Sequence, residues 1–505
     1  MHRPLSWTRS SIVSFLVSTP ALGFAALGCT VGPNYERPVV EAPASYRTPE
    51  ASPAPAPAGS EPPSDTAAPM SPAPATPGAA GHASTPSGVS LGDRPLAEVF
   101  TDPALQQLIA TAVANNYDMQ LAANRVLAAE AQLGVARTAT LPLVTADIGA
   151  GAARQRFGGR GDPVTGGLFE LGLGLQWEID FWGKFRRGTE AARAELLGSE
   201  WGRRALMTTL TSQVARLYYE LRGLDEQLDI ARRTLESRQE SLRLTQVRES
   251  GGAGSLVDVR QAEQLVFGAS GQIVDLERLI TLQENALSTL LGREPGPIAR
   301  GLAITAQPRA VDVPTGLPSR LLERRPDIRR AEQRMVAANA QIGIAKTAYF
   351  PQISLTGSGG VASAALGTLF SAPALVWSAA ASLVQPLFPS QRIDAEVDVA
   401  ELGKEAAVLA YRQTIQQAFR EVSDALVNYQ RGREFREIQE DLLGSAREAR
   451  RLADLRYQGG ATSYLEVLDS DTRLFVAELG LVRAGLSELS AYVDIYRALG
   501  GGFEG

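Results

Sequence analysis

The sequence predicts an α+β protein made of a duplicated helix–strand–strand–helix unit. Three observations point there: an internal copy at long range, a switch of hydrophobic period from helical to two inside each copy, and proline-free heptad runs of about 65 residues. AQLGVARTATLP at 131–142 returns as AQIGIAKTAYFP at 340–351, 209 positions later. Around it, Asp118, Arg125, Gln132, Gly134, Thr138 and Pro142 recur in order as Asp327, Arg334, Gln341, Gly343, Thr347 and Pro351. Further on, LTQVRESGGAGSLVDV (244–259) faces LADLRYQGGATSYLEV (452–467), and Leu291-Gly292 faces Leu499-Gly500. A solenoid would repeat every 20–50 residues or so; here the unit is about 200 residues, which divides the body into halves at 91–300 and 301–505.

Ahead of the body, residues 1–28 carry two arginines, an apolar stretch and small residues before Cys29, the only cysteine, and read as a secretory signal. The junction resembles the lipobox of bacterial lipoproteins, with Ala26 where a Leu is usual. That resemblance implies a diacylglycerol and an N-acyl chain on Cys29; the alternative is ordinary cleavage that leaves an idle thiol. Thr30 follows, without the aspartate that resembles an inner-membrane retention signal, which favours outer-membrane sorting. Residues 29–90 are Pro/Ala/Ser-rich over most of their length and cannot bury enough apolar surface to offset their ordering entropy, so they are expected to act as a tether.

Composition excludes several function classes. Net charge is −6 and no basic cluster is interleaved with aromatics, so nucleic acid is not an expected partner. The two histidines, His2 and His82, both precede the body, which removes histidine base catalysis and most transition-metal sites. No phosphate loop or dinucleotide fingerprint occurs. No enzyme, cofactor or metal site is therefore expected. No stretch of the mature chain has the 18 or so consecutive apolar residues of a transmembrane helix.

Past Pro142 and Pro351 the period becomes two. Strands are expected at about 143–153, 168–180, 352–363 and 375–386. In the second, Phe169, Leu171, Leu173, Leu175 and Trp177 fall on one side and Glu170, Gly172, Gly174, Gln176 and Glu178 on the other. One reading has two hairpins packed by their greasy faces on a helical core. The other has a transmembrane barrel wall with an apolar outside and a polar lumen. Four strands cannot close a barrel, and an open edge cannot face lipid, so the second reading requires an oligomer.

From about Lys184 to Glu249 the apolar steps alternate four and three, from Leu206 through Leu210, Val214, Leu217 and Leu221 onward, a heptad pattern. Such a rod is about 100 Å long. A return helix at about 256–291 follows the turn GGAGS; the second half repeats this from about Arg392, through GGATS, to a helix at 464–499. Glycines in the turns allow positive φ, and Ser255-x-x-Asp258 and Ser463-x-x-Glu466 have capping-box spacing.

VGPNYERP after Cys29, NNYDMQLAANRV, WEIDFWGKFRRGTEAARAEL and LRYQGGATSYLEVLDSDTRLFVAEL together resemble TolC-type outer-membrane efflux factors, in the lipoprotein branch that works with resistance-nodulation-division pumps. The match spans everything except the signal and the Pro/Ala tether. FPSQRIDAEV (388–397) departs from the family's Gly-rich turn. The resemblance implies a homotrimer in which each chain gives four strands to one 12-stranded transmembrane β-barrel, continuous with a long periplasmic α-helical barrel. It implies an outer-membrane duct, lipid-anchored and reaching into the periplasm, serving as the exit channel of a tripartite system with a periplasmic adaptor (membrane fusion) protein and an inner-membrane pump.

Carried over by position, Leu465 and Asp469 match the constricting rings of the periplasmic gate, with Glu466 at a further acidic position. Tyr457 and Asp258 match positions that link helix pairs and hold the tip shut. The turns Gly251, Gly252, Ala253, Gly254, Ser255 and Gly459, Gly460, Ala461, Thr462, Ser463 match the adaptor-docking points. Simpler roles stay open from the sequence: Asp258 and Glu466 as helix caps, Asp469 as an acid near a helix N-terminus. So do two other functions, a type I protein-secretion duct and a lipid-anchored coiled-coil structural protein or adhesin.

Overall fold

A computed structural model of the chain describes residues 30–40, 43, 46–47, 90–155, 164–309, 313–316, 318–388 and 390–502. Cys29, the signal and most of the tether lie outside the described residues. In chain order the elements are α1 (Leu96–Val99), α2 (Pro103–Asn115), α3 (Tyr117–Thr138), β1 (Leu143–Gln155), β2 (Val164–Glu178), α4 (Lys184–Ser250), α5 (Leu256–Leu290), α6 (Pro318–Arg324), α7 (Pro326–Lys346), β3 (Gln352–Ser363), β4 (Leu375–Val384), α8 (Ser390–Gln458) and α9 (Tyr464–Ala498). The helix–strand–strand–helix–helix run from α3 to α5 is repeated from α7 to α9.

The four strands form one antiparallel sheet in the order β1-β2-β3-β4. Ladder partners share a face, so the register decides what each side presents. Leu171 pairs with Ile148 and Val361, Leu175 with Val144 and Gly357, and Val361 with Leu375. Most of the large apolar residues therefore gather on one face, with Leu143, Leu168, Val376 and Val384 on the other. The opposite face carries Thr145, Asp147, Glu170, Gln176, Thr356 and a seam of serines, with Ser354–Ser382 at 2.7 Å and Ser358–Ser378 at 2.8 Å. Among the described residues no helix covers the apolar face: Ile148 is 83% and Trp377 78% exposed. Hairpins packed on a helical core would have buried these side chains, so the packed-hairpin reading is excluded.

Strand ends differ from the expected ones for local reasons. β2 starts at Val164, ahead of the expected 168, because its ladder with β1 runs through Gly166 and Gly167. It stops at Glu178 because Asp180 caps the next helix, its carboxylate accepting from the N–H groups of Phe185 (3.1 Å) and Arg186 (2.9 Å). The chain turns into α4 through Gly183 at φ +85°, an αL conformation that favours glycine. β4 ends at Val384, two residues before Pro386, and enters α8 past the exposed Leu387 and Phe388; no described residue of that bend is a positive-φ glycine.

The rods α4 and α8 run 67 and 69 residues, about 100 Å each. On α4 the heptad positions Leu210, Val214, Leu221 and Leu228 are buried in the main core with Tyr218, Ile415, Val422 and Leu489. Here the helix pairs cross a belt formed by α1, α2, α6 and the linker between the halves. Asp102, fully buried, staples that belt: its carboxylate accepts from Ala104 N–H (2.9 Å), Tyr218 hydroxyl (2.8 Å), Leu302 N–H (3.0 Å) and Gln307 amide (2.9 Å). Burial alone would push the Asp102 carboxyl up, but the hydrogen bonds, first from Gln307 and Tyr218, outweigh it and hold the pKa below the ordinary carboxylate range.

The N-terminal motif VGPNYERP lies along α4 and α7. Arg187 donates to the carbonyls of Val31 (3.2 Å) and Gly32 (3.1 Å) and to Asn34 Oδ1 (3.1 Å), and Asn339 donates to the Pro33 carbonyl at 2.8 Å. Gly32, at φ +94°, sits so close to Gly343 that a Cβ would lie 2.5 Å from the Gly343 Cα. Arg37 pairs with Glu332 at 3.2 Å. The strap thus bridges the halves, held by Arg187 of the first and by Glu332, Asn339 and Gly343 of the second.

Asp102→Asn is expected to destabilise the protein by about 1–3 kcal/mol at neutral pH, because an amide cannot accept from all four donors. A depressed folded pKa contributes stability that is complete above the unfolded value near about 3.9 and fades as pH falls below it. Thermal denaturation from pH 7 to 3 therefore should show the gap between wild type and variant closing at the acid end. Leu173→Arg, on the apolar face, is expected to cost roughly 2–4 kcal/mol if that face meets lipid. Semi-native electrophoresis checks it: the variant should lose any heat-resistant oligomer that the wild type forms.

Candidate functional site

Far from the sheet, the rods turn back at two adjacent tips of the same construction. At the first, Gly252 (φ +76°) follows the helix end, Ala253 N–H donates to the Arg248 carbonyl at 2.8 Å and Gly252 N–H to the Glu249 carbonyl at 2.9 Å. At the second, Gly460 (φ +71°), Ala461 to Arg456 (2.8 Å) and Gly460 to Tyr457 (3.1 Å) reproduce it. Both are Schellman caps, in which a glycine at positive φ lets two N–H groups satisfy orphan carbonyls. The turns 251–255 and 459–463 are exposed except for the half-buried Thr462.

The outgoing helices are capped differently. Ser255 Oγ accepts from Val257 N–H at 3.1 Å while the Asp258 carboxylate accepts from Ser255 N–H at 3.2 Å, closing a capping box. Ser463 makes no side-chain cap. Glu466 instead takes Arg456 in an ion pair at 2.7 Å and a hydrogen bond from Thr462, so the second capping box suggested by the spacing does not form. The cause is Arg456, which occupies the carboxylate; its counterpart in the first tip, Arg248, lies over the Tyr457 ring at 4.5 Å.

Leu465 is exposed, and Asp469 stands one turn further on the same side of α9. Asp469 holds Arg473, another turn on, at 2.8 Å. The exposed column thus reads apolar, acidic, basic. Tyr457 packs at 5.2 Å from Tyr464 in a tilted ring pair, beside a small apolar cluster of Ala262, Ala453, Val467 and Leu468. Within one protomer Tyr457 and Asp258 share no hydrogen bond among the described residues; the Asp258 carboxylate faces its own cap.

A link between the helix pairs that the sequence did not reveal lies just above this cluster. Asp471 on α9 pairs with Arg238 of α4 at 2.8 Å and with Arg450 of α8 at 3.5 Å, and all three side chains are largely buried. Arg238 also donates to the Leu265 carbonyl of α5 at 3.1 Å and lies 5.0 Å from the Phe475 ring centre. Burial opposes the charge of Arg450, but Asp454 and Asp471 outweigh it and raise its pKa above the ordinary value. One carboxylate thus ties all four tip helices. In the sequence the three residues are ordinary helix charges, and only the helix pairing brings them together. Among the described residues no group of His, Cys, Asp and Glu could hold a metal ion.

Asp471→Ala leaves two buried guanidiniums without their shared partner, so a loss of roughly 3–5 kcal/mol is expected. Limited proteolysis of the purified protein checks it: cleavage near residues 250 and 460 should accelerate while the Asp102 belt stays protected.

A family model described as outer membrane efflux protein matches residues 108–293 and 317–501. The antibiotic efflux pump outer membrane protein ArpC of Pseudomonas putida is 35% identical over 494 residues, 97% of this chain and 96% of that protein. The cation efflux system protein CusC of Escherichia coli is 33% identical over 406 residues, 80% of this chain and 87% of that protein. Among solved structures, the open state of the MtrE outer membrane channel of Neisseria gonorrhoeae superposes with a TM-score of 0.80 at 31% identity, covering 94% of this chain and 98% of that one.

Proposed function

Because the chain belongs to the outer membrane efflux protein family, we propose that it forms a gated, passive exit duct whose gate is the helical tip. The protein is an outer-membrane efflux channel and not an enzyme. The observation that carries the duct reading is the sheet: four strands with one greasy and one polar face, two open edges and, among the described residues, no helix covering it. Three copies joined edge to edge give a 12-stranded barrel with every backbone group bonded, and the helices below continue its wall.

In this reading Leu465 and Asp469 of the three chains converge on the axis, an apolar ring followed by an acidic one that repels itself and draws cations. Arg473 partly offsets that charge in each protomer. Tyr457 and Asp258 act between helix pairs of neighbouring chains, while Asp471 holds the four helices of one chain as a unit. Glu466, tied to Arg456, shapes the second turn. The exposed turns 251–255 and 459–463 present two similar tips per chain to a periplasmic adaptor, which couples the duct to an inner-membrane pump of the resistance-nodulation-division type. Cys29 carries the lipid: Thr30 lies against Gly183, at the junction of sheet and rod, where an acyl chain reaches the inner leaflet. ArpC and CusC bear names that point to different cargoes, antibiotics and cations, and in this reading the choice of exported solute lies mostly upstream, in the pump.

Single-channel recording in planar bilayers tests the gate. Wild type should give small, cation-preferring steps, and Asp469→Ala larger ones with weaker cation preference; Tyr457→Phe should lengthen open times. Steps identical in all three proteins would move the gate elsewhere, and no steps after confirmed reconstitution would remove the duct.

A further inference from the structure

A groove of about 900 Å³ lies between α3, α4 and α7, roughly midway between the belt and the sheet. Its floor is made of small residues, among them Ala194, Gly198 and Gly202, with Leu206 at one end. Its walls carry Arg125, Arg203, Arg330 and Arg334, opposed by a single acid, Glu195. None of these four guanidiniums has an ion-pair or hydrogen-bond partner among the described residues. Most other arginines on the rods hold a carboxylate, as Arg238, Arg436 and Arg450 do. Partial burial, then the neighbouring charge of Arg334, lower the pKa of Arg330 from its ordinary value; Asp327 opposes the shift, and Arg125 adds to it.

The groove faces away from the N-terminal strap. On α7 the strap covers Glu332, Asn339 and Gly343, which lie on one side of the helix; Arg330, Arg334, Ala337 and Gln341 lie on the other. A strap that leads to a membrane-anchored residue runs outside the duct, so the arginines line the lumen. Arg125 and Arg334 are also equivalent positions of the internal repeat, so in three chains they recur about every sixth of a turn.

We propose that this groove binds anionic solutes inside the duct, specifically drug-sized amphiphiles bearing a carboxylate, sulfonate or phosphate, held by paired guanidinium forks over an apolar floor. The proposal rests on the duct reading for the direction the groove faces. Its volume lies in the range of small-molecule sites, and arginine forks match planar or tetrahedral oxyanions in a bidentate manner. The site gives the lumen a basic belt above the acidic gate, so cargo of opposite charge is slowed at different heights.

Carboxyfluorescein is the probe, a soluble dianion, with cationic rhodamine 6G as control, followed by fluorescence anisotropy on the detergent-purified full-length protein at low salt. Saturable carboxyfluorescein binding is expected, weakened about tenfold or more in the double variant Arg330→Gln/Arg334→Gln and again by Gly202→Leu, which fills the floor, while rhodamine 6G is unaffected. The same preparations go into planar bilayers. Equal carboxyfluorescein binding in all variants, or none in wild type, overturns the site; with conductance steps still present the duct stands. Binding lost in the variants without steps from any preparation supports the site and overturns the duct.

Discussion

Backbone hydrogen bonding in lipid is the constraint from which the rest of this structure follows. A strand edge inside a bilayer leaves N–H and C=O groups with no water to turn to, so a membrane sheet must close. Here β1 and β4 are both edges, and among the described residues nothing covers the apolar face built from Ile148, Leu171, Leu173 and Trp377. Closure with other copies resolves both problems at once. It also sets the rods: four helices per chain leave the sheet, so the wall of the barrel passes directly into a wall of helices.

Duplication supplies that wall economically, yet the two halves have diverged where they do different things. The helix ends are alike: Gly252 and Gly460 both sit at positive φ in Schellman caps, as do Gly292 and Gly500 at the belt. The starts of α5 and α9 are not. Asp258 closes a box with Ser255, whereas Glu466 is drawn off by Arg456 and leaves Ser463 uncapped. The N-terminal strap meets the halves differently, through the Arg187 side chain of α4 and through the close approach of Gly32 to Gly343 of α7. Broken symmetry thus marks the second turn as the specialised one, next to Leu465 and Asp469.

Charge is distributed by height along the rod. Near the tip, Asp471 is buried between Arg238 and Arg450, a pairing whose removal exposes uncompensated charge in a dry site and which therefore favours one helix arrangement over others. Asp469 and Arg473 are exposed, where solvent screens them and their strength depends on salt. Higher up, the arginine groove lacks partners. The buried set holds helices together, and the exposed sets are left to act on whatever passes.

The sequence by itself determined the architecture. Period-two alternation, proline-free heptads and Gly-Gly turns are local signals, and each is written in consecutive residues, so the strands, the rods and the tips were legible, as were the family motifs that identify an outer-membrane channel. Strand ends were less so, because Asp180 belongs to a helix cap rather than to the alternation it continues. Tertiary structure alone decided which charges matter. Arg238 and Arg450 lie 233 and 21 positions from Asp471, the acid they share, and nothing in the local sequence of the three distinguishes them from solvated helix charges. The same holds for Arg125, Arg203 and Arg330, whose meeting depends on how α3 and α7 cross α4. Long-range electrostatics is set by helix packing, and packing is settled only when the whole chain is folded.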